Sequence, residues 1–327
     1  MISVAIQGGA MRSIYCLGAI RALVDRGLAP DVKSIHATSA GCVAGAVLAK
    51  KIAEPSGPTV AEMGDKLLGK LSGDRFINLW RPRRMVDVAY LVDTIKAVTG
   101  LSTTTLRAHR LIFEVALTDA RSGTASYVDL ASVPADRDLY QGMLGTMAVP
   151  LLYPPKVVIG GRHYMDGGIT DPLPVLRALR QSPRLLIAIS SVAKSNLGRE
   201  LEGNESRIVR FLPILPSVIR HLLLSRNPLG VAVEDLIEAD LVGGIQVVRI
   251  APRDQRELGH RLETDRSRLA ALEKMGYADA SRALTAIAPQ AEVAGETKPT
   301  DRGIPSSTEE RLGPISNGLG SNRVRLR

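Results

Sequence analysis

Two apolar runs near the N terminus, Ile2 to Gln7 and Val32 to His36, each break into a cluster of small residues and lead into a segment of helical periodicity. The first passes through Gly8-Gly9-Ala10 into a helix-like stretch from about Met11 to Arg26, with Gly27 as its stop. The second passes through Ala37-Thr38-Ser39-Ala40-Gly41 into another, from Cys42 to Lys51. Further strand-like runs follow at Leu111 to Leu117, Thr124 to Asp129, Lys156 to Ile159, Arg184 to Ser190 and Gln246 to Ile250. Helical patterns fill the intervals, among them Met85 to Val98, Leu173 to Arg180 and Glu257 to Ile287. Strands separated by helices predict an α/β fold, a mainly parallel central sheet covered by helices on both faces. From Pro289 onward Gly, Pro, Ser, Thr and Glu dominate and aromatics vanish. The change predicts one folded domain over 1–288 and a disordered tail over 289–327.

With 327 residues, 45% of them hydrophobic, the chain is long enough to bury a sizeable core. Its longest uncharged run, Leu139 to Pro155, holds three prolines and falls short of the roughly 20 apolar residues of a membrane-spanning helix. Met1 to Met11 has no basic leader or cleavage site and reads as a strand and turn, which makes the cytoplasm the expected location. Cys16 and Cys42 fall in helix-like segments without metal-ligand spacing and are expected to be small buried thiols. The formal charge of +9 suits nucleic acid, an anionic membrane surface, or a surface kept basic only for solubility. Aromatics make up 3%, and no zinc-finger, homeodomain or single-strand-binding signature appears, so nucleic acid has no support beyond charge. Acidic lipid headgroups account for the same excess as well or better.

The chemistry sits in the small-residue clusters. In Ala37 to Gly41 the flanks Ala37, Thr38, Ala40 and Gly41 permit a sharp strand-to-helix turn that lifts the Ser39 hydroxyl clear of the backbone, although such strings also occur in ordinary turns. Gly8-Gly9-Ala10-Met11-Arg12-Ser13 presents backbone N–H groups at the positive end of a helix, which suits a phosphate or a developing oxyanion. A dinucleotide fold would want glycines at 8, 10 and 13 and an acid closing the second strand. Here the strand closes in His36-Ala37-Thr38-Ser39, which favours the oxyanion. For a base, none of the five histidines, His36, His109, His163, His221 and His260, has a setting rich in turn residues and polar partners. The better candidate is Asp166, where an apolar segment ends in an acid followed by Gly167 and Gly168, although Asp-Gly-Gly is also an ordinary hairpin turn. Nucleophile, base and amide loop would each lie at a strand end, where open α/β sheets place their sites.

These motifs resemble those of patatin-like phospholipases and acylhydrolases. Gly8 to Ser13 is similar to that family's Gly-Gly-Gly-x-Arg-Gly loop, Ala37 to Gly41 to its Gly-x-Ser-x-Gly elbow, and Asp166-Gly167-Gly168 to its Asp-Gly-Gly/Ala motif. Met147-Ala148-Val149-Pro150 through Tyr153-Pro154-Pro155, and Asp171-Pro172-Leu173-Pro174, resemble the family's segments on either side of the aspartate. Order and spacing agree from Ile2 to about Leu176, roughly half the chain. The resemblance implies a patatin-like fold and a lipase or phospholipase-type acylhydrolase of lipid acyl esters. Ser39 would be its nucleophile and Asp166 its proton acceptor, with no histidine, cofactor or metal. An aspartate is a weak base for an alcohol, so this role predicts a shielded site that raises its proton affinity.

Ala37, Ala10 and Ser13 stand where the family has glycine, each adding a small side chain. Left-handed backbone at either alanine would cost about 1 kcal/mol. The alternative is a catalytically weakened lipid-binding or regulatory protein on the same fold. Arg12 either meets the substrate head or pairs within the structure. Two further segments suit a lipid surface: the kinked, arginine-flanked Ser206 to Arg226, as a lid or else a core helix pair, and Arg81-Pro82-Arg83-Arg84 beside Trp80, as a headgroup contact or else a loop.

Overall fold

The computed structural model describes residues 1–78, 80, 85–150, 152–153, 157–193, 216–224, 228–239, 241–285 and 287. The tail expected over 289–327, most of Ser206 to Arg226, and the arginines at 81, 83 and 84 lie outside the described residues.

The strands are β1 (Ile2–Ile6), β2 (Val32–Thr38), β3 (Ile112–Asp119), β4 (Ala125–Asp129), β5 (Val157–Ile159), β6 (Arg162–Asp166), β7 (Leu185–Ile189), β8 (Leu241–Val242) and β9 (Ile245–Ile250). All join one sheet. Its centre is parallel, with β3, β2, β1, β7 and β9 as successive neighbours, while β4, β6 and the β5–β6 and β8–β9 hairpins add antiparallel pairs. Every residue of β1 and β7 is buried, as expected of strands covered on both faces. Alternation sorts their side chains. Ile2, Val4, Ile6, Leu185, Ile187 and Ile189 enter the larger core, and Ala5, Leu186 and Ala188 the smaller one on the other face.

The larger core is roofed by α1 (Ile14–Asp25), α2 (Gly41–Ala53), α3 (Val60–Leu71), α4 (Val88–Thr99), α5 (Thr103–Ala108) and α6 (Asp136–Thr146). On the opposite face lies α7 (Val175–Leu179). The short α8 (Ser217–Leu224) touches the turn after β6, α9 (Pro228–Glu238) completes the smaller core, and α10 (Arg266–Thr285) returns to the first face against α1. The expected three-layer α/β arrangement is present. None of the helices among the described residues is long and apolar enough to cross a membrane.

Three expectations are corrected. The helix expected from Met11 begins at Ile14, after a 3-10 turn over Ala10–Ser13. The one expected over Glu257 to Ile287 is interrupted: a 3-10 turn over Gln255–Leu258 ends at Gly259, whose φ of 64° stops it, and α10 starts at Arg266. The strand β6 was not foreseen, because its sequence, Arg162-His163-Tyr164-Met165-Asp166, lacks a clean alternation. Its hairpin with β5 turns at Gly160 and Gly161, both at positive φ, so Gly167-Gly168 is not that turn.

The edge of β3 is what positions the site. At Glu114 to Ala116 it pairs with β4 on one side and β2 on the other; at Leu117 and Thr118 it pairs with β4 and β6. Since a strand has two edges, β2 and β6 share one of them. β2 leaves after Thr38, opposite Ala116, and β6 brings Asp166 opposite Leu117.

Helices α1 and α10 meet through two glycines: a Cβ on Gly18 would lie 1.9 Å from the Glu273 carbonyl oxygen, and one on Gly276 would lie 1.9 Å from that of Tyr15. Gly276→Ala is therefore expected to lose about 1–3 kcal/mol in urea denaturation despite alanine's better helix propensity. At exposed Gly69 in α3 a Cβ would touch only the end of Arg266, at 3.9 Å, and Gly69→Ala should gain up to about 1 kcal/mol.

Candidate active site

Ser39 is the first residue past β2 and has a φ of 53°, a left-handed conformation that serine adopts only under constraint. Its N–H donates to Thr146 Oγ1 at 2.9 Å, and that hydroxyl donates to the Ala116 carbonyl at 2.5 Å. The Ser39 carbonyl accepts the N–H of Cys42, in the first turn of α2, at 3.0 Å. Held this way, the Ser39 hydroxyl donates to Asp166 Oδ2 at 2.6 Å. The other carboxylate oxygen accepts the Gly168 N–H at 2.7 Å, and Thr118 Oγ1 donates to the Asp166 carbonyl at 2.8 Å. Between them, a Cβ on Gly167 would stand 2.2 Å from the Ala116 carbonyl oxygen, so glycine is required for the chain to turn here.

Ser39 is 9% exposed and Asp166 5%. Burial pushes the Asp166 carboxyl from the ordinary 3.8 to about 6; the hydrogen bonds from Ser39 and Gly168 and the charge of Arg261 pull the other way and only limit the rise. Ser39 bonds to none of the five histidines. His36 is fully buried inside β2 with Nδ1 3.1 Å from Glu114 Oε2, and His260 Nδ1 accepts the Leu262 N–H at 3.1 Å. Among the described residues no group of His, Cys, Asp or Glu stands close enough to hold a metal ion. Cys16 and Cys42 are free, buried thiols, with burial pushing Cys16 up to about 12 and Cys42 higher still.

The Gly8 to Ser13 loop lies against the elbow. A Cβ on Gly8 would stand 2.4 Å from that of Ser39. Among the described residues no acceptor takes the amide of Gly9 or Ala10, whereas the Met11 amide donates to the Arg261 carbonyl at 3.0 Å and the Arg12 amide to that of Gly9 at 3.2 Å. The Arg12 guanidinium donates twice to the Gly259 carbonyl, at 3.0 and 2.7 Å, which makes this residue an anchor of the loop. Ser13 is buried with its hydroxyl unpartnered among the described residues. Of the two alanines standing for glycine, Ala10 does have a left-handed φ, 52°, while Ala37 is an ordinary strand residue paired with Ile6 and Val115. Thr38 Oγ1 donates to the Asp171 carbonyl at 2.8 Å, and Gly41 opens α2.

Several supports escaped the sequence reading. Gln7 Oε1 accepts from Ser190 Oγ at 2.6 Å and from the Ser191 N–H at 3.0 Å, and Ser191 Oγ donates to the Gly8 carbonyl. A signal existed, since two serines directly follow β7 at the carboxyl end of the sheet. Thr146 and the Gly259 to Leu262 segment had none. Beside Ser39 lies a cavity of about 60 Å³ whose only polar side chains among the described residues are Ser13 and Ser39, with Leu17, Val43, Phe76, Leu91, Met147 and Leu262 among its walls. A hydroxyl held on a basic carboxylate, beside two unoccupied amides and an apolar slot, is suited to acyl transfer.

No curated protein matches the chain in sequence. Among solved structures, VipD from Legionella pneumophila is similar at 14% identity with a TM-score of 0.45; the match covers 87% of this chain and 66% of that one, so this chain spans just under two thirds of its length. The sequence model described as patatin-like phospholipase matches residues 4–179, just over half of the chain and all of the amide loop, elbow and Asp166 turn: the chain belongs to the patatin-like phospholipase family.

Proposed function

We propose that this protein is a serine acylhydrolase of lipid esters working through Ser39 and Asp166. The observation that carries the reading is the 2.6 Å hydrogen bond from the Ser39 hydroxyl to a carboxylate that burial has made more basic. Ser39 Oγ attacks the ester carbonyl while its proton passes to Asp166 Oδ2. The oxyanion that forms is held by the amides of Gly9 and Ala10. As it collapses, the bond to the alcohol breaks, Asp166 returns the proton to the leaving oxygen, and the acyl group stays on Ser39. Water then gives a proton to Asp166 and attacks the acyl carbon, and the acid departs as Ser39 recovers its proton. The apolar cavity beside Ser39 takes the start of the acyl chain, which favours a lipid over a polar ester. Residues 1–288 would make the acylhydrolase domain, working peripherally at a membrane from the cytoplasm.

One observation favours a second reading, a weakened lipid-binding protein: Ala10 carries left-handed strain where the family has glycine. Labelling by a fluorophosphonate separates the two. The native chain is expected to label and to hydrolyse a short p-nitrophenyl ester, and Ser39→Ala to lose the label and more than about a thousandfold of turnover. A native chain that neither labels nor turns over the ester is the weakened protein.

Because the unprotonated carboxylate is the base, kcat/KM on a soluble ester should rise about tenfold per pH unit below about 6 and level off above it. A profile flat through that range removes Asp166 from the role. The same shift sets a stability term of the opposite sense. An acid whose pKa is raised by folding contributes stability that is full below its unfolded value of 3.8 and is lost as pH rises through about 6. Asp166→Asn should therefore lose roughly a hundredfold or more of turnover while unfolding later than the native chain at about pH 8, by up to roughly 3 kcal/mol. That gain should vanish below about pH 4.

A further inference from the structure

Ser13 carries a hydroxyl that the fold does not use. It is 5% exposed, and among the described residues its Oγ has no hydrogen-bond partner. A serine placed immediately before a helix such as α1 ordinarily accepts an N–H of the first turn. No such bond forms here, because Ser13 has helical backbone, with φ −67° and ψ −9°, and continues the 3-10 turn straight into α1. That conformation is open to any residue, so the backbone does not call for serine either. Yet serine stands where the family has glycine, and a buried hydroxyl left unpaired is unfavourable. What Ser13 does border is the cavity beside Ser39, whose other side chains among the described residues are, Ser39 apart, all apolar. Three lining residues, Ala10, Ser13 and Leu17, are spaced three and four apart and so follow one another along one face of the turn and helix. The Ala10 amide marks the end at which an ester carbonyl would sit, Leu17 lies toward the apolar interior, and Ser13 stands between them. Three residues of a 3-10 turn advance about 6 Å. A hydrogen bond from Ser13 Oγ covers about 2.8 Å of that distance, and the first carbons of an acyl chain span the rest.

We propose that the slot takes an acyl chain hydroxylated on its third carbon, with Ser13 Oγ hydrogen-bonded to that hydroxyl and Leu17 packed on the alkyl part beyond it. A serine hydroxyl both donates and accepts, so it can pair with a hydroxyl in either sense. An unsubstituted chain would seal the Ser13 hydroxyl against carbon and leave it unpaired, so the slot discriminates against it. The position of the ester carbonyl comes from the acylhydrolase reading, on which this assignment rests, but binding of the chain requires no turnover.

Titration calorimetry on the Ser39→Ala variant tests this with dodecanoic acid and with each enantiomer of 3-hydroxydodecanoic acid. One enantiomer is expected to bind at least about tenfold more tightly than the plain acid. Adding Ser13→Ala should abolish that preference, with the plain acid bound no more weakly than before. Equal affinity for all three acids, no binding of any of them, or a preference that survives Ser13→Ala overturns the proposal. The short-ester assay on the native chain decides the other reading separately: a binding preference without ester turnover keeps the hydroxyacyl slot and removes the hydrolase, and turnover without a preference does the reverse.

Discussion

Two strands share one edge of β3, and the site follows from the handover between them. A strand edge pairs with one neighbour at a time, so β2 must turn away after Thr38 if β6 is to pair from Leu117. The abrupt exit is what drives Ser39 into left-handed backbone, and the entry of β6 brings its last residue, Asp166, to the same point. Such a junction strips ladder partners from backbone groups that are buried and must be satisfied. Thr146 meets the need twice, accepting the Ser39 N–H and donating to the Ala116 carbonyl with one hydroxyl. The absence of a side chain at Gly167 lets β6 leave beneath that carbonyl. Ser39 and Asp166 are thereby positioned by hydrogen-bonded sheet and not by mobile loops, which suits a contact of 2.6 Å.

Three buried carboxylates near this end of the sheet are treated differently, and their partners explain how. Burial alone would raise Glu114, but hydrogen bonds and charge from His36 and Arg177 outweigh it and hold it down to about 2. Glu114 stays ionised and ties β2, β3 and α7 together, with Arg177 also stacked on the Tyr127 ring at 4.4 Å. Asp171 is pushed up to about 6 by burial, against the hydrogen bond from the Tyr127 hydroxyl. Asp166 rises for the same reason, and its hydrogen bonds come from a neutral hydroxyl and a peptide amide, not from a cation. An arginine placed on Asp166 as Arg177 is placed on Glu114 would stabilise the fold and remove the basicity. Asp166 keeps its raised proton affinity because its buried charge is left poorly compensated, a cost borne by the rest of the core.

Much of this was legible in the sequence because it is local. Strand-like runs, helical periods and the small residues at Gly8, Ser39 and Asp166 express contacts within a few neighbours, and the parallel centre of the sheet follows from their alternation. What stayed hidden is long-range. β6 pairs across the chain with β3, and its five residues show no alternation, since Arg162 and His163 are both exposed at its start and buried Asp166 closes it. Thr146 looks like any helix residue until Ser39, 107 positions earlier, is seen to donate to it. The break at Gly259 belongs to the same class, since a lone glycine in a helical pattern does not announce that its carbonyl will hold Arg12. Patterns encode faces and turns, whereas partners across the fold leave no periodic trace.

The departures from the family's glycines divide on physical grounds that residue type alone does not reveal. Ala37 sits within β2, in extended backbone open to any residue, so its methyl group costs nothing in backbone strain. Ala10 at φ 52° carries a strain of about 1 kcal/mol, and something must hold it there. The candidates are the hydrogen bonds on either side: Ser191 on the Gly8 carbonyl, the Met11 amide on Arg261, and the paired bonds from Arg12 to Gly259. At about 1 kcal/mol each they outweigh the strain several-fold. All three anchoring partners, Ser191, Gly259 and Arg261, lie beyond residue 179, where the family match ends. The matched motifs carry Ser39 and Asp166, but the backbone around the amides of Gly9 and Ala10 is held in place by the part of the chain the family match leaves out.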